Sequence, residues 1–508
     1  MSHKKLSIVF YAFSLFFVIL HLIYINSSWV NAEHSFVSAA KALINPDYTL
    51  GLEQYWKNQA NPLGHPFVMA IFASVFGISS FAFRLPSLVG ALIIFWVAYH
   101  FYLKNLLNKI HWTYFMVWLF VTAFNPMIWV YSHSATNDIL PVGLVVLSFY
   151  LCFKARNNWY IHLIAGLIFS ISCVIKWNSM LLGLGFIYLL FFNDEGRFVW
   201  NRTKLYYSVS YTLLPLALLG VYFAYIYTNF GIFILPEKYK TVHSFHLKGV
   251  LLNLSNYISF LGVMLGFLVV IPVISYLKKA SSNKKIYYTF TITVLLLGLF
   301  SWNVFYHFKT GEMDFGRYFD SLLGKEGIAF IRVTGFILSI YIIISLVIEA
   351  YKKKSRLAFF ILVTVIPFII ISSFTRPAQR YLLFVYPFVS FYVILILGNR
   401  LPRLTKWLGW STAFVFSVLS FVSSYYLIET GSAEERMAQW ASSKGLISET
   451  KQDFGVGHAG QYFYRNLRSP KKYLISIREQ PPKDYLHKED VYLFGKKIRS
   501  YYIFTLPR

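Results

Sequence analysis

Thirteen apolar runs dominate the first 427 residues of this chain, and they constrain its fold more than any other feature. A helix needs about 20 consecutive apolar residues to cross the hydrocarbon core of a bilayer. A water-soluble core cannot bury so many such segments, so the sequence predicts an all-α polytopic membrane protein with about 13 transmembrane helices. The runs are 6–25, 84–103, 112–131, 137–154, 160–176, 178–193, 207–230, 257–277, 287–306, 328–350, 358–374, 382–397 and 408–427.

The charge of the chain supports a membrane rather than a nucleic acid as its partner. The net charge is +26, which in a soluble protein would suggest nucleic-acid binding. Here, however, the lysines and arginines lie in short loops between apolar runs, as the positive-inside rule requires. We therefore expect a lipid bilayer as the partner and no nucleic acid.

The distribution of loop charges predicts an orientation. Alternate loops are basic, and we assign that side to the cytoplasm. With the short run 67–79 treated as interfacial or re-entrant, the number of crossings is odd, so the N-terminus is cytoplasmic and the C-terminus periplasmic. The basic loops are 104–109, 154–156, 197–204, 278–285, 352–356 and 400–406, and the opposite loops are 26–66, 132–137, 231–256, 307–327 and 375–381.

Two regions stand apart from the apolar runs. The first outer loop, 26–66, is long for a connection and contains an amphipathic segment at 34–44 that predicts a helix on the membrane face. After residue 427 no spanning run remains, and residues 428–508 are rich in Lys, Arg, Tyr and Gly. We predict a transmembrane domain over 1–427 and a small periplasmic α/β domain over 428–508. Alternating segments predict strands at 472–478 and 491–504.

Polar residues concentrate at the outer ends of the runs. A proton-coupled transporter usually carries carboxylates at the membrane midplane, whereas the middles of these runs hold almost no charge. The pattern favours a reaction with a lipid-linked substrate at the outer interface. The polar clusters are 31–34 (Asn-Ala-Glu-His), 134–138 (Ser-Ala-Thr-Asn-Asp), 176–178 (Lys-Trp-Asn) and 375–381 (Thr-Arg-Pro-Ala-Gln-Arg-Tyr).

These clusters contain the groups that glycosyl transfer from a lipid phosphate needs. The carboxylates Glu33 and Asp138 are candidates for deprotonating an acceptor hydroxyl or for holding a divalent metal, Mg²⁺ or Mn²⁺. Lys176, Arg376 and Arg380 are candidates for neutralising a phosphate, because positive charge is disfavoured on the outer side unless something binds it. The plainer alternatives are a hydrated loop glutamate, a helix N-cap aspartate and a lysine that extends to the interface.

Several motifs occur in a familiar order. They resemble those of the GT-C membrane glycosyltransferases, in particular the group that contains the protein O-mannosyltransferases and the lipid A aminoarabinose transferase. The resemblance covers the first two hundred residues well and the rest loosely. The motifs are 61–66 (Asn-Pro-Leu-Gly-His-Pro), 84–87 (Arg-Leu-Pro-Ser, the most specific), 134–138, 175–177 (Ile-Lys-Trp) and 380–383 (Arg-Tyr-Leu-Leu).

The chain departs from the family at two positions. Where the family has an Asp-Glu pair, this sequence has Ala32 and Glu33, so the resemblance implies that Glu33 or Asp138 serves as the catalytic carboxylate. Where the family has a lysine, this sequence has Asn61, so the resemblance implies that Asn61 and His65 are the candidates for binding the donor phosphate at this place.

The resemblance implies a polytopic GT-C fold and a transferase of the inverting type. The donor is a polyprenyl-phosphate-linked monosaccharide, and the acceptor is a cell-envelope glycan or lipid such as lipopolysaccharide, O-antigen or lipid A. His34 and Tyr381 are acceptor-side candidates, and the location is a bacterial inner membrane. The alternatives are a flippase or transporter of lipid-linked sugars, a protein O-glycosyltransferase, and an O-antigen polymerase or ligase.

The orientation can be tested with reporter fusions. We expect fusions after Lys285 and Arg356 to report the cytoplasm, because their loops hold basic charge alone, and a fusion after Arg436 to report the periplasm. Paired alkaline phosphatase and fluorescent-protein reporters provide the measurement, each serving as the control for the other. A cytoplasmic signal after Arg436 would mean an even number of crossings and would contradict the orientation.

Overall fold

A computed structural model describes most of the chain. The described residues are 3–27, 33–45, 62–155, 157–193, 197–231, 247–280, 316–351, 355–375, 378–446, 449–452, 472–476 and 485–505, with isolated positions at 52–55 and 288–305. Parts of the predicted run 287–306 and of the loops 26–66 and 231–256 therefore lie outside the described residues.

The structure is mostly helical. Its helices are α1 (His3–Tyr24), α2 (Glu33–Ile44), α3 (Gly64–Phe76), α4 (Ser80–Asn105), α5 (Trp112–Ala123), α6 (Pro126–Ser132), α7 (Ile139–Ala155), α8 (Trp159–Ile175), α9 (Gly183–Phe191), α10 (Arg202–Phe230), α11 (Leu247–Leu265), α12 (Val270–Ala280), α13 (Gly316–Tyr351), α14 (Arg356–Ser372), α15 (Tyr386–Phe391) and α16 (Pro402–Ser443). The strands are β1 (Thr450–Gln452), β2 (Tyr473–Ser476), β3 (Tyr485–Leu493) and β4 (Lys496–Thr505). The predicted fold class, a helical membrane protein with a small C-terminal α/β region, is confirmed.

Several helices are long and apolar enough to cross a bilayer. Within the described part of the chain there are six, or seven if α5 and α6, bent by 62° at their junction, cross together. Large apolar side chains on these helices stay exposed, as lipid contact requires: Ile8 is 61% exposed and Phe414 is 71% exposed. Shorter apolar helices account for other predicted runs, and the count of about 13 stays a prediction.

Within the described ranges, several predicted runs are broken rather than continuous helices. In run 257–277 a 3₁₀ helix (Gly266–Val269) separates α11 from α12. Run 178–193 consists of a 3₁₀ helix (Trp177–Leu182) followed by α9. Run 382–397 is divided among a 3₁₀ helix (Gln379–Phe384), α15 and a π-helix (Tyr392–Leu397). Run 112–131 breaks at Asn125, whose side-chain oxygen accepts a 3.0 Å hydrogen bond from the Met127 amide. Pro126 is the first residue of α6, a position that proline favours.

The chain divides into two compact units. The first unit comprises 1–14, 89–129 and 138–418, and the second comprises 15–88, 130–137 and 419–508. The predicted domain boundary at 427/428 falls inside α16, which runs on to Ser443.

Close helix packing in the first unit depends on glycines. A Cβ at Gly143 of α7 would lie 2.4 Å from the carbonyl oxygen of Gly90 in α4. A Cβ at Gly335 of α13 would lie 2.6 Å from the carbonyl oxygen of Ser259 in α11. Without a side chain between them the backbones touch, which is how membrane helices gain packing energy in the absence of a hydrophobic driving force.

In the second unit, α2 occupies the segment predicted to be an amphipathic helix. Its apolar face, including Phe36, Val37 and Ala40, packs against Met69 and Ala73 of α3. The predicted helix is therefore confirmed, while its position on the membrane face stays a prediction.

The C-terminal part of the second unit contains a four-stranded sheet in the order β1-β2-β4-β3. Met437 of α16 packs on the sheet residues Ile475 and Ile503. The predicted single strand 491–504 is wrong: the chain reverses at Phe494 and Gly495, which both have positive φ (48° and 78°). Two consecutive positive φ values are typical of a two-residue hairpin turn, so β3 and β4 pair antiparallel.

The contact between α4 and α7 can be tested with an alanine. Gly143→Ala forces the Cβ against the Gly90 backbone, and we expect a loss of about 1–3 kcal/mol, the usual range for overpacking. Gly220→Ala in α10 is the matched control, since a Cβ there meets nothing within 4 Å. Thermal unfolding in detergent measures both. Equal unfolding midpoints for the two variants would contradict the close packing.

Candidate functional site

One cluster of charges in the first unit brings together three of the predicted site residues. The Nζ atom of Lys176 donates to the Oδ1 atom of Asp138 in an ion pair. The Nε atom of Arg380 lies 3.8 Å from the same oxygen. Asp138 and Lys176 are buried, while the Arg380 side chain is 34% exposed. One carboxylate therefore holds two cations, one of which reaches the surface.

Each of these three residues lies at or beside the end of a helix. Asp138 immediately precedes α7, Lys176 immediately follows α8, and Arg380 lies in the 3₁₀ helix Gln379–Phe384. The Ser172 hydroxyl of α8 donates to the Pro141 carbonyl of α7 over 2.9 Å. This bond joins the two helix ends, so Asp138 and Lys176 are held side by side.

The segment that leads to Arg380 is anchored by α11. The Nδ2 atom of Asn253 donates to the carbonyl oxygens of Ser373 and Thr375, each over 2.9 Å. The Tyr257 hydroxyl accepts a 3.3 Å hydrogen bond from the Ala378 amide. These two side chains fix the backbone on the N-terminal side of Arg380. Neither residue was predicted, because nothing in the sequence of α11 distinguishes Asn253 and Tyr257 from other polar residues of a helix.

The electrostatics of this cluster favour an anion. Asp138 balances one of the two positive charges, so the cluster carries a net charge of about +1 when all three groups are ionised. The aromatic ring of Tyr381 lies beneath the ammonium group, with 5.0 Å from Lys176 Nζ to the ring centroid. The planar guanidinium of Arg380 has several N–H donors, and a guanidinium can donate two parallel hydrogen bonds to two oxygens of one phosphate. The guanidinium of Arg380 is therefore suited to a phosphate ligand.

Glu33 belongs to a different cluster, in the second unit. Its two carboxylate oxygens accept hydrogen bonds from Nε and Nη2 of Arg84, both over 2.9 Å, and both side chains are buried. Oε1 also accepts a 2.6 Å bond from the Ala135 amide. The Nη1 atom of Arg84 donates to the carbonyls of Ile25 and Ser27. The pair thus ties together the end of α1, the start of α2 and the segment around Ala135.

The other predicted site residues are distributed as follows. His65 is buried in the second unit, with its ring centroid 5.7 Å from that of Phe36. His34 lies in α2, but its side chain is outside the described residues, as are Asn61 and Arg376. The roles assigned to these residues stay predictions.

The two carboxylates do not fit a divalent metal in the observed arrangement. Asp138 Oδ1 contacts an ammonium group, and both oxygens of Glu33 contact a guanidinium group. Across the described ranges, no three His, Cys, Asp or Glu side chains gather in a group that could hold a metal ion.

The buried Arg332 in α13 was not predicted. Its Nη2 atom donates to the Oδ1 atom of Asn256 in α11, and its guanidinium carbon lies 4.7 Å from the Phe305 ring centroid. An arginine within the apolar run 328–350 was the available signal, since ionisable residues inside a membrane span are usually functional.

Comparison with known proteins agrees with the resemblance seen in the motifs. The family model described as dolichyl-phosphate-mannose-protein mannosyltransferase matches residues 60–223. No curated protein matches the chain. Two solved structures of ArnT from Cupriavidus metallidurans, one apo and one bound to undecaprenyl phosphate, align over 99% of this chain and 98% of theirs, at 13% and 12% identity and a TM-score of 0.46. Over residues 60–223, which include Asp138 and Lys176, the chain is therefore similar to the dolichyl-phosphate-mannose-protein mannosyltransferases.

Proposed function

We propose that this protein is a membrane glycosyltransferase that moves one sugar from a polyprenyl-phosphate donor to a cell-envelope glycan or lipid at the periplasmic face of a bacterial inner membrane. The observation that carries the proposal is the convergence of Lys176 and Arg380 on the buried Asp138 carboxylate. The family match supports it, because that family is described by a polyprenyl-phosphate sugar, dolichyl phosphate mannose.

The cluster suits the leaving group of such a reaction. When the acceptor oxygen attacks the anomeric carbon, the bond from that carbon to the phosphate oxygen breaks. The polyprenyl phosphate changes from a diester with one negative charge to a monoester that carries about two. Lys176 and Arg380 are already in place to stabilise the added charge, so the transition state gains more than the ground state does.

Asp138 lowers the free-energy cost of placing Lys176 and Arg380 side by side in a membrane. Two adjacent cations repel one another, and burying a lysine without a partner costs several kcal/mol. With one carboxylate between them, Lys176 stays buried and Arg380 stays oriented. In this proposal Asp138 positions the phosphate-binding cations, in addition to its predicted role as a catalytic carboxylate.

The acceptor hydroxyl must lose a proton as its oxygen attacks. Direct attack on the face opposite the phosphate gives inversion at the anomeric carbon, and the proton passes to a carboxylate. Glu33 and Asp138 remain the candidates. Both oxygens of Glu33 accept bonds from Arg84, which suits a positioning residue better than a base that must take up a proton.

The phosphate site can be tested at Arg380. We expect Arg380→Ala to weaken donor binding about 10- to 100-fold, the range for a hydrogen bond to a charged group. Arg380→Lys should retain part of the affinity, because it keeps the charge but loses the fork of donors. Radiolabelled sugar transfer from a panel of synthetic polyprenyl-phosphate sugars, over a range of donor concentrations, provides the measurement.

The matched control for this experiment is Arg403→Ala, which removes an exposed arginine of α16 outside the cluster. Unchanged donor dependence in Arg380→Ala would contradict the phosphate site. Movement of the lipid-linked sugar across the vesicle membrane, without formation of a glycosylated acceptor, would favour the transporter alternative instead.

The role of Glu33 can be tested by separating stability from catalysis. Glu33→Gln leaves Arg84 buried beside a neutral group, and breaking a buried ion pair typically costs about 3–5 kcal/mol. We therefore expect a lower thermal unfolding midpoint together with reduced transfer. A general base without a structural role would instead lower transfer about 100- to 10,000-fold with an unchanged midpoint. Glu429→Gln, at a partly exposed position of α16, is the control.

A further inference from the structure

An apolar cavity in the first unit is separate from the charged cluster. Its volume is about 360 Å³, and its walls include Val97, Ala98, Trp118, Phe149 and Phe360. A cavity of this size and lining falls within the range of natural ligand sites, which are mostly apolar with a few polar groups.

The polar residues that line this cavity lie at two helix ends and in one loop. Asn105 is the last residue of α4, Lys109 follows in the loop before α5, and Arg356 is the first residue of α14. The Nη2 atom of Arg356 donates to the Phe192 carbonyl over 3.2 Å, which fixes its guanidinium at the cavity. Lys109 is exposed. The cavity therefore has an apolar interior and two cations in its lining, Lys109 and Arg356.

The cavity extends along α7 away from the charged cluster of Asp138, Lys176 and Arg380. Asp138 precedes the first residue of α7, whereas the cavity is lined by Val146, Phe149 and Phe153, from the middle of α7 toward its C-terminal end. At about 1.5 Å per residue, Phe153 lies roughly 22 Å from Asp138 along the helix axis. The loops that carry Lys109 and Arg356 are the basic ones predicted to be cytoplasmic.

We propose that this cavity binds an anionic phospholipid of the cytoplasmic leaflet, with one acyl chain among the apolar walls and the phosphate beside Lys109 and Arg356. Basic pockets between transmembrane helices on the cytoplasmic side are typical sites for anionic lipid headgroups. The apolar lining matches an acyl chain, and the two cations match a phosphodiester. The proposal does not depend on the donor or on sugar transfer.

Trp118 offers a probe for this site, because its indole lines the cavity and is fully buried. Bromine atoms on an acyl chain quench tryptophan fluorescence on contact. The full-length protein is reconstituted with increasing fractions of dibrominated phosphatidylglycerol or dibrominated phosphatidylcholine. The difference in quenching between the parent and Trp118→Phe isolates the signal of Trp118. We expect that signal to fall at lower fractions of phosphatidylglycerol than of phosphatidylcholine.

Three variants locate the lipid. Ala98→Phe fills the cavity and should abolish quenching of Trp118, with thermal unfolding confirming that the variant is folded. Lys109→Gln should raise the half-quenching fraction of phosphatidylglycerol about fivefold, the effect of one basic residue near an anionic lipid. Lys104→Gln removes an exposed lysine near the same loop that does not line the cavity, and it should change nothing.

Equal quenching by the two lipids would overturn the proposal, as would the absence of a Trp118 signal or equal effects of Lys104→Gln and Lys109→Gln. Undecaprenyl phosphate serves as an unbrominated competitor. If it displaces phosphatidylglycerol at a much lower fraction than unbrominated phosphatidylglycerol does, the cavity binds the carrier lipid and the proposal is wrong. None of these outcomes bears on the phosphate site at Arg380, which is tested by transfer.

Discussion

Charge burial in a low-dielectric environment is the constraint on which the described parts of this molecule depend. A bilayer provides no water to solvate an ion, so a buried carboxylate persists only beside a cation. Buried carboxylates among the described residues show such pairs: Asp138 with Lys176, Glu33 with Arg84, and Glu349 with Arg400. Each pair joins segments far apart in sequence, so the charges also fix how the chain segments meet.

Backbone contacts between helices complement the charges. Gly143 lies five residues after Asp138, and the close approach of α7 to α4 at that point leaves little room for α7 to move. The hydroxyl bond from Ser172 to Pro141 adds a second tie at the same helix end. A transition state stabilised by electrostatics needs groups that are already oriented, because reorientation during the reaction costs free energy. Under the proposed function, tight packing beneath Asp138 would supply that orientation.

The sequence predicted the features that depend on local pattern. Apolar runs located α7, α8, α10 and α16. The polar residues at the helix ends that were predicted to be outer included Asp138, Lys176 and Arg380, which the structure brings together. The breaks in other runs were not predicted, because hydropathy gives the length of an apolar segment but does not show whether that segment forms one continuous helix.

Features that depend on packing between distant segments could not be predicted. Glu33 and Arg84 are 51 residues apart, and nothing in either motif indicates that they bond to one another. The contact of Arg332 with Asn256 and the cavity beside Trp118 likewise arise only once several helices meet. The hairpin at Phe494 was missed because phenylalanine rarely adopts a positive φ.

The bidentate pair of Glu33 and Arg84 has a consequence for sequence variation. A change at either position alone leaves a buried ion without its counter-charge, whereas simultaneous replacement of both by apolar residues of similar volume is often neutral. Positions 33 and 84 should therefore covary among relatives, with apolar pairs or conserved ion pairs favoured over single replacements. The Ala135 amide adds a third participant, since an apolar side chain at position 33 would leave that donor without its present acceptor. Lineages that lose the pair are thus expected to carry a compensating change in the backbone around residue 135.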